Sequence, residues 1–117
     1  MKTSSAKAKG RKLQDMVREA LRFVFKGTLE SDDIKSQVMG MSGEDIVLSP
    51  AAKKLIRYSF ECKNQERLNL WSSIEQAESN KGNRQPVLVF KRNRSKTYAV
   101  IDFVHFIELI NKNIKDK

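Results

Sequence analysis

The spacing of apolar residues changes period along this chain, and that change constrains the fold more than any single motif. Leu13, Met16, Val17, Ala20, Leu21 and Val24 recur at i, i+3, i+4, i+7, i+8 and i+11, which marks one face of a helix. Over residues 57–63 the period falls to two. Tyr58, Phe60 and Cys62 alternate there with Ser59, Glu61 and Lys63, as on a strand with unlike faces. Helical spacing returns over 67–79, with Leu70, Trp71, Ile74 and Ala77 as its apolar stripe and Asn69, Ser72, Ser73 and Gln76 as its polar side. Residues 87–90 are apolar at every position, which predicts a strand covered on both faces. Asp102 stands where a helix N-cap belongs, and Phe103, Phe106, Ile107 and Ile110 form the stripe of a last helix.

The connecting segments complete the order. Gly27 closes the first helix as a left-handed cap. Residues 34–38 and 44–48 read as two strands around the turn Met39-Gly-Met-Ser-Gly43. Ser49-Pro50 opens a short helical turn, with proline at the first helical position. A basic turn, Lys91-Arg-Asn-Arg-Ser-Lys96, joins the 87–90 strand to a return strand over 97–101. The predicted order is α-β-β-β-α-β-β-α, an α/β fold with a mixed central sheet flanked by helices. The first 12 residues hold five basic and no acidic side chains, and read as a flexible basic arm ahead of a single domain over 13–117.

Composition narrows the function. No stretch approaches the roughly 20 apolar residues that span a bilayer, and no apolar core follows the first lysines as in a signal peptide. One cysteine forms no internal disulfide, and with one histidine it makes no Cys/His zinc cage. The chain therefore reads as intracellular and cytoplasmic. Its 23 Lys and Arg against 14 Asp and Glu give +9, which favours a polyanionic partner through counterion release.

Asp45, Glu61 and Lys63 carry the chemistry. Glu61 and Lys63 are two apart on one strand, so both leave the same face. Asp45 opens the preceding strand, and adjacent strands about 4.8 Å apart bring the two carboxylates together. Such a pair repels and invites a divalent cation; magnesium takes hard oxygen ligands and bridges to phosphate. The backbone carbonyl of Cys62 shares that edge as a further ligand, and Lys63 stands where it orients an attacking water or neutralises phosphorane charge. The simpler alternative is a solvated strand face whose Glu-x-Lys is only surface charge.

Gly43-Glu-Asp45 followed by Phe60-Glu-Cys-Lys63, behind an N-terminal helix, resembles the PD-(D/E)xK nuclease superfamily. The form Ser-Gly-Glu-Asp then Glu-Cys-Lys-Asn is similar to small phage-type endonucleases and archaeal-type Holliday junction resolvases, over roughly residues 9–105. The resemblance implies a restriction-endonuclease-like core and a Mg2+-dependent endonuclease in which Mn2+ substitutes. It makes Asp45 the metal-binding aspartate, Glu61 the second carboxylate and Lys63 the catalytic lysine. Ser42 falls in the loop where the resolvases place a serine near the scissile phosphate. Their first helix adds a glutamate to the metal site; Gln14 is the best-placed residue here, with Glu19 as the substitute if the helix is rotated. Gln76 matches a position where related nucleases place a glutamine near the site.

Lys91, Arg92, Arg94 and Lys96 at the hairpin tip, and Lys7, Lys9, Arg11 and Lys12 in the arm, suit contacts to a DNA backbone. His105 reads as a helix residue, Cys62 as a small core residue and Trp71 as part of a core stripe. The implied partner is branched or double-stranded DNA, acted on by a homodimer whose contact lies on the last helix or the edge strand. The alternatives from other classes are a non-catalytic nucleic-acid-binding module and a basic subunit for an acidic protein.

Overall fold

The computed structural model describes residues 3–115. Its elements are α1 (Thr3–Val24), a short 3-10 turn (Ser31–Asp33), β1 (Ile34–Ser36), β2 (Ile46–Leu48), α2 (Pro50–Leu55), β3 (Tyr58–Asn64), α3 (Leu70–Asn80), β4 (Gln85–Lys91), β5 (Tyr98–Val100) and α4 (Phe103–Lys115). The order matches the sequence pattern, but α1 begins ten residues before Leu13. Lys7, Lys9, Arg11 and Lys12, read from composition as an arm, therefore lie on a helix; Lys, Ala and Arg are all strong helix formers. Met1 and Lys2 of that arm lie outside the described residues.

The strands form two ladders. β1 and β2 pair antiparallel, while β3, β4 and β5 form a mixed sheet in that order. β3 and β4 run parallel from Tyr58↔Gln85 to Asn64↔Lys91, with α3 as the crossover; β5 returns antiparallel along β4. A backbone bond joins the ladders, from the Asp45 N–H to the Phe60 carbonyl at 3.0 Å.

The starts of α2, α3 and α4 each have a local cause. The Ser49 hydroxyl accepts from the Ala52 N–H at 3.1 Å and itself donates to Asp33 at 2.6 Å, so it caps α2 and ties it to the turn before β1. The Asn69 side chain accepts from the Ser72 N–H at 3.0 Å, and Asp102 accepts from the His105 N–H at 2.9 Å. The last of these is the cap the sequence predicts.

The core lies where α1 crosses both ladders. Leu13 and Val17 of α1 pack with Ile34, Ile46, Leu48, Ala52, Ile56, Cys62, Val87 and Val89. Leu88, on the other face of β4, is also buried, so this strand is covered on both sides as its continuous apolar run predicts. The α3 stripe needs correction. Ser73 and Ala77 are the buried residues, whereas Trp71 is 74% exposed. Ser73 tolerates burial because its hydroxyl donates to the Asn69 carbonyl at 2.8 Å.

Ile34 is fully buried, whereas Val47, which pairs with Lys35 in the same ladder, is 37% exposed. Ile34→Ala is expected to destabilise the fold by about 2–5 kcal/mol in urea unfolding. Val47→Ala is expected to stay within about 0.5 kcal/mol.

Candidate active site

At the end of the sheet where β3 finishes, a cavity of about 310 Å³ opens. α1 supplies Gly10 and Gln14, the loop after β1 supplies Met39 to Met41, the strands supply Asp45, Glu61, Cys62 and Lys63, and α3 supplies Gln76. The three residues of the sequence motif thus share one wall.

Asp45 is fixed through both backbone and side chain. Its carboxylate accepts from the Cys62 N–H at 2.7 Å. Its carbonyl accepts from the Gln14 amide at 3.2 Å and from the Gln37 N–H at 2.8 Å. Successive residues of a strand turn their N–H and C=O to alternate edges, so the Cys62 carbonyl shares the edge that its N–H presents to Asp45. Gln14 is buried; its amide nitrogen is used on Asp45, and its Oε1 has no protein partner. An acceptor without a donor beside two carboxylates has the chemistry of a cation ligand or a bound-water site. Glu19 is on the outer side of α1, held at 2.9 Å by both Arg18 and Arg22. Of the two candidates on this helix, Gln14 is the one that reaches the cavity.

Glu61 is only 2% exposed, so it is not part of a solvated strand face. Its carboxylate receives a hydrogen bond from the Asn80 amide at 3.4 Å and faces the Lys63 ammonium at 3.8 Å. Burial, reinforced by the charge of Asp45, pushes the Glu61 pKa up to about 7. Burial also raises Asp45, against the opposing pull of the Cys62 N–H and of Lys63. Two carboxylates this close favour a proton on the pair, and a bound cation relieves the same repulsion. Cys62 is buried, and desolvation drives its thiol pKa far up, which fits a core residue and excludes a thiolate nucleophile.

The remaining positions divide. Gln76 and Lys7 line the cavity. The Lys9 carbonyl accepts from the Asn64 amide at 3.4 Å, close by, while Arg11 and Lys12 are exposed on α1. Ser42 is exposed and does not line the cavity; its carbonyl accepts from the Gln37 amide at 3.5 Å. The register Asn64↔Lys91 brings the basic turn, with Arg92, Arg94 and Lys96, to the cavity's end of the sheet. That turn is braced by Ser95, whose hydroxyl accepts from the Arg92 N–H at 3.0 Å, and by Arg94 at φ 63°. His105 is a helix residue, paired with the Tyr58 hydroxyl at 2.7 Å and absent from the cavity wall.

Three supporting residues escape sequence inspection. Arg84 is buried and pairs with Glu44, while its guanidinium also donates to the Tyr58 carbonyl at 3.0 Å. The Ser59 hydroxyl donates to the same Glu44 carboxylate at 2.8 Å. Asn80, the last residue of α3, donates to the Gly43 carbonyl at 3.3 Å as well as to Glu61. No spacing marks any of them; each matters because the fold returns it to the Gly43–Asp45 turn. Among the described residues, no three His, Cys, Asp or Glu side chains converge as a metal cluster. Beyond the two carboxylates the wall offers the Cys62 carbonyl and the amide oxygens of Gln14 and Asn64, both buried without a protein partner.

Residues 5–117 match the family model described as "Phage putative PDDEXK endonuclease". The chain belongs to this family. No curated protein and no solved structure matches it. Membership in the PDDEXK family bears out the PD-(D/E)xK resemblance, assigns the chain a nuclease function, and agrees with the restriction-endonuclease-like α/β architecture. None of its helices, among the described residues, is long and apolar enough to cross a membrane.

The raised carboxyl has a consequence for stability. Glu61 binds its proton more tightly when folded, at about 7, than at its ordinary value of 4.5. The folded state therefore holds more protons than the unfolded state within that window, and stability falls as pH rises through it. The metal-free protein is expected to lose Tm between pH 4.5 and 7 and then level off. Glu61→Gln should remove most of that slope in thermal scans, and an unchanged slope would show that Glu61 is not the group involved.

Proposed function

We propose that this PDDEXK chain is a magnesium-dependent endonuclease that hydrolyses phosphodiester bonds in DNA. The observation that carries the proposal is the pairing of half-buried Asp45 with buried Glu61, joined on one cavity wall by Lys63 and by the unpartnered Gln14 oxygen. Asp45, Glu61, the Cys62 carbonyl and Gln14 Oε1 form an all-oxygen set, which suits Mg2+ and also Mn2+. A divalent ion bound there supplies Lewis-acid polarisation of a phosphoryl oxygen and a more acidic water.

The protein's own groups do the rest. The Cys62 N–H and the Gln14 amide hold Asp45 in one orientation, so its free oxygen faces the cavity without reorganisation. Asn80 and Lys63 do the same for Glu61. Lys63 stands beside the carboxylates as a cation that orients an attacking water and stabilises charge developing on phosphate oxygens. Gln76 on the facing helix is placed to hydrogen-bond a phosphate oxygen or the water. Lys7, Lys9, Arg11 and Lys12 on α1 and Lys91, Arg92, Arg94 and Lys96 at the hairpin grip the backbone on either side, with Ser42 on the loop between.

Branched DNA is the preferred substrate within this class, on the similarity of the Gly43–Asp45 and Glu61–Lys63 motifs to junction resolvases. A substrate with two equivalent strands is served by a homodimer carrying two sites. A cytoplasmic setting follows for an enzyme acting on intracellular DNA.

Gel cleavage of a synthetic four-way junction, beside matched duplex and single strand, with Mg2+ and with EDTA, tests the proposal. Paired nicks on the junction alone support the junction preference. Metal-dependent cuts on every substrate retain the nuclease and remove that preference, and a mobility shift without cleavage makes the chain a binding module. Asp45→Ala and Lys63→Ala should each lower cleavage by roughly 10²–10⁴-fold. Both variants should leave DNA affinity within about threefold, because phosphate contacts by the basic turn and α1 dominate it.

The Gln14 oxygen gives a separate expectation. Gln14→Glu should tighten Mn2+ binding by several-fold, and Gln14→Leu should weaken it, as read by titration calorimetry without DNA. Equal affinities in all three proteins would remove Gln14 from the ligand set.

A further inference from the structure

α4 is amphipathic in the reverse sense from a monomer's surface helix. Its contact with the body runs through a polar side chain: His105 Nε2 meets the Tyr58 hydroxyl at 2.7 Å, with the rings edge to face at 5.3 Å. At about 100° per residue, Phe103, Ile107, Ile110 and Ile114 lie roughly 140–180° around the helix from His105. They therefore point away from the body, and α4 contains no buried residue. Phe103 is 71% exposed and Ile114 66%, with Val104, Phe106, Ile107, Leu109 and Ile110 all more than a third exposed. The charged residues Glu108, Lys112 and Lys115 fall on the His105 side, leaving the outward stripe without a charge.

The stripe continues into the sheet. An apolar groove of about 450 Å³ runs between α4 and the open edge strand β5, lined by Ala99, Val100, Ile101, Phe103 and Phe106. A second groove, of about 340 Å³, passes from Phe103 to the exposed Trp71 on α3, with Asp102 and Glu78 among its otherwise mostly apolar lining.

We infer that this face of α4, with the β5 groove beside it, is the surface on which a second copy of the chain docks about a twofold axis. Area selects the occupant. At their exposures Phe103, Val104, Phe106, Ile107, Ile110 and Ile114, with Trp71 beside them, present on the order of 800 Å², the share that each partner contributes to a standard interface. An uncharged stripe flanked by an apolar groove is complementary to itself: side chains of one α4 fill the groove beside the other, as an isologous contact requires. Apolar burial on this scale also offsets the repulsion between two chains of +9. The surface deepens the homodimer reading above and rests on it only for its purpose; the geometry is independent of nuclease activity. β4 and β5 lie between this face and the Asp45 side of β3, so docking leaves both cavities open.

Light scattering on the eluting protein at 10–100 µM provides the test. The chain is expected at about twice 13.5 kDa. Ile110→Glu should shift it to the monomer mass while far-UV circular dichroism and Mn2+ binding stay unchanged, because Ile110 touches neither the core nor the cavity. Ile110→Cys, oxidised, should yield a covalent dimer through residue 110 near the axis. A wild-type monomer at 100 µM overturns the proposal, as does an Ile110→Glu variant that remains dimeric. A dimer without cleavage would retain this surface while the nuclease proposal fails, and a cleaving monomer would do the reverse.

Discussion

Asp45 joins α1 and both strand ladders where they reach the cavity. Its N–H bonds the Phe60 carbonyl of β3, its carbonyl receives both Gln14 of α1 and Gln37 after β1, and its carboxylate receives the Cys62 N–H. A residue that ties a helix and both ladders together cannot move without moving all three. This explains how a three-residue strand such as β2, too short to be stable alone, ends in a defined position. It also means that the carboxylate is oriented before any ligand arrives, which is where a preorganised site gains over a flexible one.

The turn that delivers Asp45 is held from the other side by buried charge. Gly43 sits at φ +101° and Gly40 at φ +87°, backbone that a side chain resists, so the two glycines permit the bend. Glu44 then points inward to Arg84 and Ser59, while Asn80 bonds the Gly43 carbonyl. Arg84 is nearly buried, and a buried ion pair is weak support for stability unless its remaining donors are used. Here one of them bonds the Tyr58 carbonyl, locking the loop before β4 to the start of β3. Asn80 reaches Glu61 in the same stroke, so the turn and the second carboxylate are positioned by one side chain.

The sequence reveals what depends on periodicity and motif, and hides what depends on return in space. The alternation over 58–63 and the continuous run over 87–90 locate β3 and β4, because each strand's coverage is written in its own residues. Asp45, Glu61 and Lys63 are legible since two strands at the usual spacing suffice to bring them together. Asn80, Glu44 and Arg84 are not, because each meets the site from 15 to 40 residues away through side-chain geometry that no local spacing encodes. The start of α1 is lost for a different reason. Residues 3–12 have strong intrinsic helix formers but almost no apolar stripe, and periodicity registers only a helix with a face to bury. Gln14 against Glu19 is a question of rotation about the helix axis. It is decided by Leu13 and Val17, whose burial turns Gln14 inward and leaves Glu19 to the arginines.

Helices α1 and α4 show the limit of such periodicity most clearly. A stripe at i, i+3, i+4 and i+7 states that a helix has a face to cover; it does not state what covers it. In α1 the covering surface is the chain's own sheet. In α4 the polar His105 side meets the body and the stripe faces outward, so the same pattern has the opposite meaning. Trp71 on α3 belongs to the same surface, exposed next to Phe103. The three-stranded sheet therefore has two unlike borders. At β3 the border is closed by the polar Asp45 turn and carries the carboxylates. At β5 it is open and mostly apolar. On the proposals made above, chemistry on one border and association on the other are tuned by separate residues, because substitutions on α4 do not touch the groups that hold Asp45 and Glu61.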